Sequence, residues 1–239
     1  MKLNLGRTFA AAGQLWRAER ALIVPLAGLF YFVPGLALLL LMPPMQPVAG
    51  AGDEAMIQAL MAYMQANAGP LVVVNLIQLF ASAVLLTLFL SPDRPTLGGA
   101  ARIVAGRMLS FVAASILVFA ALTVSGLLVI PALYLIGRFF LVTSVLAAQP
   151  RTGPVEAIAR SFALTAGRGW WCFVAAAIPF FAGQAGASIV SGMGQTVTLA
   201  GSAALSIPFD ALAAAAMTAG WVLTMLVKIT VYRAVTSGT

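Results

Sequence analysis

Residues Ala157–Trp171 read AIARSFALTAGRGWW. Arg160 and Arg168 lie in this stretch and Arg151 lies just before it, although only 8% of the chain is charged. The stretch ends in a tryptophan pair, and a long apolar run follows. Charges confined to short gaps between apolar runs, with aromatic residues at the boundary, are typical of a membrane protein.

The composition excludes an ordinary water-soluble domain. The chain has 239 residues, of which 62% are hydrophobic, whereas soluble domains are about 45–50% apolar and about 25% charged. The net charge of +7 does not form one basic face, so no nucleic-acid partner is predicted. The single cysteine excludes an intramolecular disulfide, and the chain has no histidine. The N-terminal residues lack the pattern of a cleaved signal peptide, so the first span is expected to direct insertion.

A helix needs about 20 apolar residues to cross a bilayer, and the chain offers six such runs. Spans three and four meet without a loop and could form one long broken helix. We favour two spans, because their apolar length is about twice what one crossing needs. The predicted fold is a single all-α membrane domain over 1–239, a bundle of six transmembrane helices with amphipathic interfacial helices on the cytoplasmic side. The predicted spans are Ala21–Met42, Pro70–Leu90, Met108–Ile130, Pro131–Ala148, Trp170–Val190 and Ile207–Val227.

Basic residues predict the orientation. Every Lys and Arg except Arg138 lies on one side of the six spans, whereas Asp53 and Glu54 lie in a loop on the other side. Cytoplasmic loops carry the excess of Lys and Arg. Both termini are therefore expected in the cytoplasm.

The gap before span five predicts a surface helix over 154–168. Its apolar residues Val155, Ile158, Ala159 and Phe162 recur at helical spacing. This stripe is expected to enter the acyl boundary while the arginines meet anionic phospholipid headgroups. Similar segments precede spans one and three, which suggests either a three-fold repeat (1–91, 92–148, 149–239) or a chance likeness among amphipathic helices.

The region 134–171 also resembles a known family. Tyr134, Arg138, the Pro–x–Glu–Ala pattern at 154–157, Ala159–Ser161 and Leu164–Arg168, followed by Trp170, carry the likeness. They resemble the membrane domain found with glycerophosphoryl diester phosphodiesterases and related uncharacterised six-span proteins of the bacterial inner membrane. The resemblance implies this location and an architecture more than an activity. The hydrolase domain that names the family is absent from this sequence.

Six residues are candidates for function or interaction. Arg138, inside a span, either binds an anionic group in an interior cavity or caps carbonyls freed by Pro131 or another helix break. Asp210 either pairs with Arg138 or lies in a first helical turn, where the helix dipole favours it. Glu156 has the same dipole advantage and can pair with Arg160, four residues on. Arg168 is expected to meet lipid headgroups, and Trp170 to mark the mouth of span five.

Other patterns favour packing. Met56, Met61 and Met64 could ligate Cu(I) as soft thioethers, but an apolar interfacial helix face is the simpler interpretation. The small-residue stripes Gly183–Ala187–Ser191 and Ala211–Ala215–Ala219 are predicted to pack helices closely.

Nothing in the sequence indicates catalysis, a cofactor or a metal site. The leading hypothesis is a non-catalytic membrane protein that binds lipid or a membrane protein partner. The alternative is a small transporter or channel with Arg138 in its pathway.

Overall fold

The computed structural model describes residues 4–42, 52–126, 128–199 and 206–237, and the described residues contain helices and no strand. The element bounds are α1 (Leu5–Ala27), a π-helix (Gly28–Phe32), α2 (Val33–Leu41), α3 (Asp53–Ala66), α4 (Ala68–Leu90), α5 (Leu97–Ser125), α6 (Val129–Phe139), α7 (Val142–Ala148), α8 (Pro154–Leu164), α9 (Gly169–Leu199) and α10 (Ile207–Thr236).

Six segments of the described chain are long and apolar enough to cross a membrane. The all-α fold class is thereby confirmed, and the chain is a multi-pass membrane protein. The segments are Leu5–Leu41, Ala68–Leu90, Leu97–Ser125, Val129–Ala148, Gly169–Thr196 and Ile207–Thr236.

Spans three and four are separate helices. α5 ends at Ser125 and α6 begins at Val129, so the single broken helix is wrong. Pro131 lies in the first turn of α6, where backbone N–H groups have no helical partner in any case. The fourth span itself is divided, because α6 stops at Phe139 and α7 starts at Val142.

The surface segments behave differently from one another. The N-terminal segment and the segment from Leu97 continue without interruption into α1 and α5, so neither is a separate interfacial helix. Only α8 is a helix of its own, beginning at Pro154 as expected. Gly167 follows it with a left-handed φ of 67°, a conformation that glycine adopts at little cost, and this turn lets α9 start in a new direction.

α9 and α10 approach each other closely at glycines. A Cβ added to Gly183 would lie 2.8 Å from the Gly220 Cα and 3.0 Å from the Ala216 carbonyl oxygen. The α9 stripe therefore packs as predicted at Gly183. The α10 stripe is wrong by one residue, because Ala216 and Gly220 face α9 while Ala215 and Ala219 are exposed.

The core is centred on α7 and the last half of α10. Nearly all of α7 is buried, and it packs against α4, α5, α8 and α10. By contrast, α3 contains no buried residue. The tight core thus lies beside the end of α6, where Arg138 is found.

Candidate functional site

The end of α6 and the start of α9 meet at two glycines. A Cβ on Gly137 would overlap the Gly169 carbonyl oxygen and lie 2.8 Å from the Phe173 amide nitrogen. Backbones can approach this closely only where side chains are absent. Because Arg138 follows Gly137 and Arg168 precedes Gly169, the contact brings the two arginines to the same crossing.

The Arg138 side chain lies against aromatic rings. Its guanidinium carbon is 4.8 Å from the centre of the Phe162 ring and 5.9 Å from that of Tyr134. Such cation–π contacts contribute about 0.5–2 kcal/mol, depending on desolvation. Among the described residues, the guanidinium has no ion pair and no hydrogen bond. A half-buried cation is thus held in place with its donors free.

The backbone of Arg138 is capped by α8. Its carbonyl accepts hydrogen bonds from Ser161 Oγ at 2.7 Å and Thr165 Oγ1 at 3.4 Å. The last carbonyls of a helix lack intrahelical N–H partners, so the break after Phe139 needs these hydroxyls. The expectation that the Arg138 side chain caps freed carbonyls is therefore wrong.

The face of α8 that packs against the bundle is made of small residues outside the predicted apolar stripe. Its buried residues are Ala157 and Ser161, and small side chains let the hydroxyls reach α6. Phe162 packs edge-on against Phe139, with ring centres 5.1 Å apart, so part of its ring faces protein, and its predicted position in the acyl boundary stays a prediction. Val155 is 71% exposed and remains available to lipid.

Glu156 and Arg160 form the predicted pair. The Arg160 Nη2 is 2.7 Å from Glu156 Oε1, with both side chains about half exposed at 47% and 50%. Arg160 also donates to the Gln149 side-chain oxygen. An exposed pair of this kind contributes only about 0.2–1 kcal/mol, but it occupies the Arg160 guanidinium.

Trp170 lies in the first turn of α9, at the mouth of the span as predicted. Its ring is 5.9 Å from that of Tyr134 and 6.2 Å from that of Phe173, and the residue is 46% exposed. Trp170 therefore extends the aromatic surface around Arg138.

Asp210 lies far from this cluster. It is in the first turn of α10, as the dipole argument predicts. Gly194 packs against the neighbouring Phe209, whereas Gly169 marks the Arg138 end of α9. The two glycines are 25 positions apart, which corresponds to about 37 Å of helix. The predicted alternative of an Arg138–Asp210 pair is wrong.

Two further arginines donate hydrogen bonds to backbone carbonyls at or near helix ends. The sequence analysis used both of them only to predict the orientation in the membrane. Arg107 donates to the carbonyls of Leu146 at 2.7 Å and Thr152 at 2.9 Å. Arg233 donates to the Phe89 carbonyl at 2.8 Å. The positive-inside pattern located these residues, but no local signal identified the carbonyls that they reach.

The sequence analysis also did not predict that Lys228 lies inside the helix bundle. Its Nζ donates to Thr143 Oγ1 at 3.1 Å and lies 5.3 Å from the centre of the Phe140 ring. The signal was its place within an apolar run, where a charged residue needs a partner.

The described residues contain no group of His, Cys, Asp or Glu that could hold a metal ion. Met56, Met61 and Met64 are exposed on α3. Both the apolar-face and the Cu(I) interpretations of these methionines stay predictions.

No family model, curated protein or solved structure matches this chain.

Proposed function

We propose that the chain is a non-catalytic protein of the bacterial inner membrane, with both termini in the cytoplasm, that binds the headgroup of an anionic phospholipid at Arg138 and Arg168. The observation that carries the proposal is the Arg138 guanidinium, fixed by two rings and without an acidic partner among the described residues. The resemblance to six-span inner-membrane proteins agrees with this location but adds no ligand.

A phosphate suits this arrangement chemically. Arginine can offer two parallel N–H donors to phosphate oxygens, and its planar group also stacks on aromatic faces. The rings of Phe162 and Tyr134 hold the Arg138 guanidinium, and its N–H groups bind no other described residue, so they remain for the ligand. Arg168 is exposed beside it and adds a second charge worth about 1 kcal/mol at an anionic surface.

The position of the cluster in the membrane follows from charge asymmetry. Arg151, Arg160 and Arg168 precede α9, so the positive-inside rule assigns the start of α9 to the cytoplasmic boundary. The Gly137–Gly169 contact then brings Arg138 to this boundary as well. Headgroup phosphates lie at this level, and the exposed Trp170 suits the same interface.

A pair of charge-matched variants tests the proposal. We expect phosphatidylglycerol to raise the thermal stability of the detergent-solubilised protein more than phosphatidylcholine does. Arg138→Gln should weaken phosphatidylglycerol binding about tenfold or more, because charge-assisted hydrogen bonds contribute about 1.5–3 kcal/mol. Arg160→Gln removes the same charge from a guanidinium already bound to Glu156 and should have a much smaller effect.

Equal losses in the two variants would mean non-specific surface attraction and would contradict the proposal. The transporter or channel alternative gives a different result, namely anion flux through proteoliposomes that Arg138→Gln abolishes. Binding of a membrane protein partner at the same surface would appear as a co-purifying subunit that anionic lipid displaces.

A further inference from the structure

An apolar groove of about 450 Å³ lies between α10 and the segment formed by α1 and the π-helix. Its volume falls in the range of small-ligand sites, about 300–1,000 Å³. Small side chains form its walls and larger ones border them. The residues that the argument uses are Trp16, Val24, Gly28, Phe32, Ala215 and Ala219.

The groove exists because both helices present small residues there. Ala215 and Ala219 are exposed on α10, one position away from the residues that pack against α9. On the other wall, a Cβ added to Gly28 would meet no atom within 4 Å. The small stripe that the sequence assigned to helix packing therefore borders open space.

Two arginines lie beside the groove, near the N-terminal end of α1. Arg20 is four residues after Trp16 and four before Val24, so it shares their face of α1, and Arg17 precedes it by one turn. Both are exposed, and neither has an ion pair or hydrogen bond within the described part of the chain. The positive-inside rule assigns this end of α1 to the cytoplasmic boundary.

We propose that this groove holds one acyl chain of an anionic phospholipid whose phosphate is bound by Arg20. The apolar walls match a hydrocarbon chain, and the basic residue lies where the headgroup of such a lipid would be. The site is separate from the Arg138 cluster, since it uses α1 and α10 instead of α6, α8 and α9.

The dimensions favour a chain over a helix. A packed helix is about 10–12 Å across with its side chains, which is much wider than a single acyl chain, so a chain enters such a groove more readily. A second copy of the chain is accordingly an outcome that the test must distinguish.

Native mass spectrometry of the protein released from phosphatidylglycerol-containing membranes tests this inference. We expect adducts with two phosphatidylglycerol molecules, one at the Arg138 cluster and one in the groove. The double variant Ala215→Leu/Ala219→Leu, which fills the groove, should lower the two-lipid adduct about tenfold and leave the one-lipid adduct. Ala185→Leu, at an exposed alanine of α9, adds one leucine away from the groove and should leave occupancy unchanged. Arg20→Gln should lower retention of phosphatidylglycerol more than that of phosphatidylethanolamine, whose ammonium group partly neutralises its phosphate.

Unchanged occupancy in the double variant would overturn the inference, as would a dimer in the parent protein that the double variant abolishes. The two lipid sites fail separately. Loss through Arg138→Gln alone supports the proposed function and refutes the groove, whereas loss through the groove variants alone does the reverse.

Discussion

Replacing Gly137 with alanine should force α6 away from α9. The new Cβ would lie 2.8 Å from the Phe173 nitrogen and 2.9 Å from the Gly169 carbonyl carbon, both of them backbone atoms. Ordinary carbon contacts begin near 3.4 Å, so the helices must separate by at least about 0.6 Å. A gap of about 0.5–1 Å forfeits a quarter to a half of the dispersion attraction at the crossing.

The expected cost follows from this displacement. Overpacking costs about 1–3 kcal/mol, and the upper end applies because both obstacles are backbone atoms. For a chain of this size, about 3 kcal/mol corresponds to a fall in Tm of about 6–12 °C. Arg138 also moves relative to Arg168, so the stabilisation by phosphatidylglycerol should shrink with it.

Thermal unfolding in detergent, followed by tryptophan fluorescence, measures this effect. The control is Gly106→Ala in α5, where an added Cβ meets no atom within 4 Å and alanine gains up to about 1 kcal/mol in helix propensity. A fall in Tm of less than 2 °C for Gly137→Ala, or an equal fall in the control, would refute the reasoning.

Two further results are expected. A reporter fused after Thr239 should read as cytoplasmic and one inserted near Gly50 as external, because basic residues flank only one side of the spans; ends on opposite sides would refute the six-span topology. Arg107→Lys should lower Tm by several degrees, because lysine lacks the fork that reaches both the Leu146 and Thr152 carbonyls. Arg102→Lys, at an exposed site on the same helix, is the control and should change little.

The sequence was sufficient for elements that depend on local physical chemistry. Span positions follow from apolar length, and the separation of α5 from α6 follows from the length of one crossing. Pro154 at the start of α8 and Gly167 after it act through their own backbone preferences.

The remaining features depend on tertiary contacts. The break after Phe139 has no proline near it, and its nearest glycine, Gly137, lies inside α6. It is stabilised by the hydroxyls of Ser161 in α8 and Thr165 just after it. The orientation of Phe162 likewise depends on Phe139 and Arg138. An apolar stripe on a helix does not reveal whether lipid or protein covers it, because both are apolar.

The π-helix at Gly28–Phe32 joins α1 to α2. The number of residues in it therefore sets how α1 is rotated about the helix axis relative to α2. The defining bond of the π-helix joins the Val33 N–H to the Gly28 carbonyl, five residues back. Pro34 has no N–H to offer the Phe30 carbonyl, which favours a wide turn at this point. The wide turn accommodates one additional residue, and each residue of an α-helix turns the chain by about 100°. Deleting a single residue here would therefore rotate Trp16 and Arg20 about the helix axis relative to α2, so that the number of residues in this segment matters more to the groove than their identity.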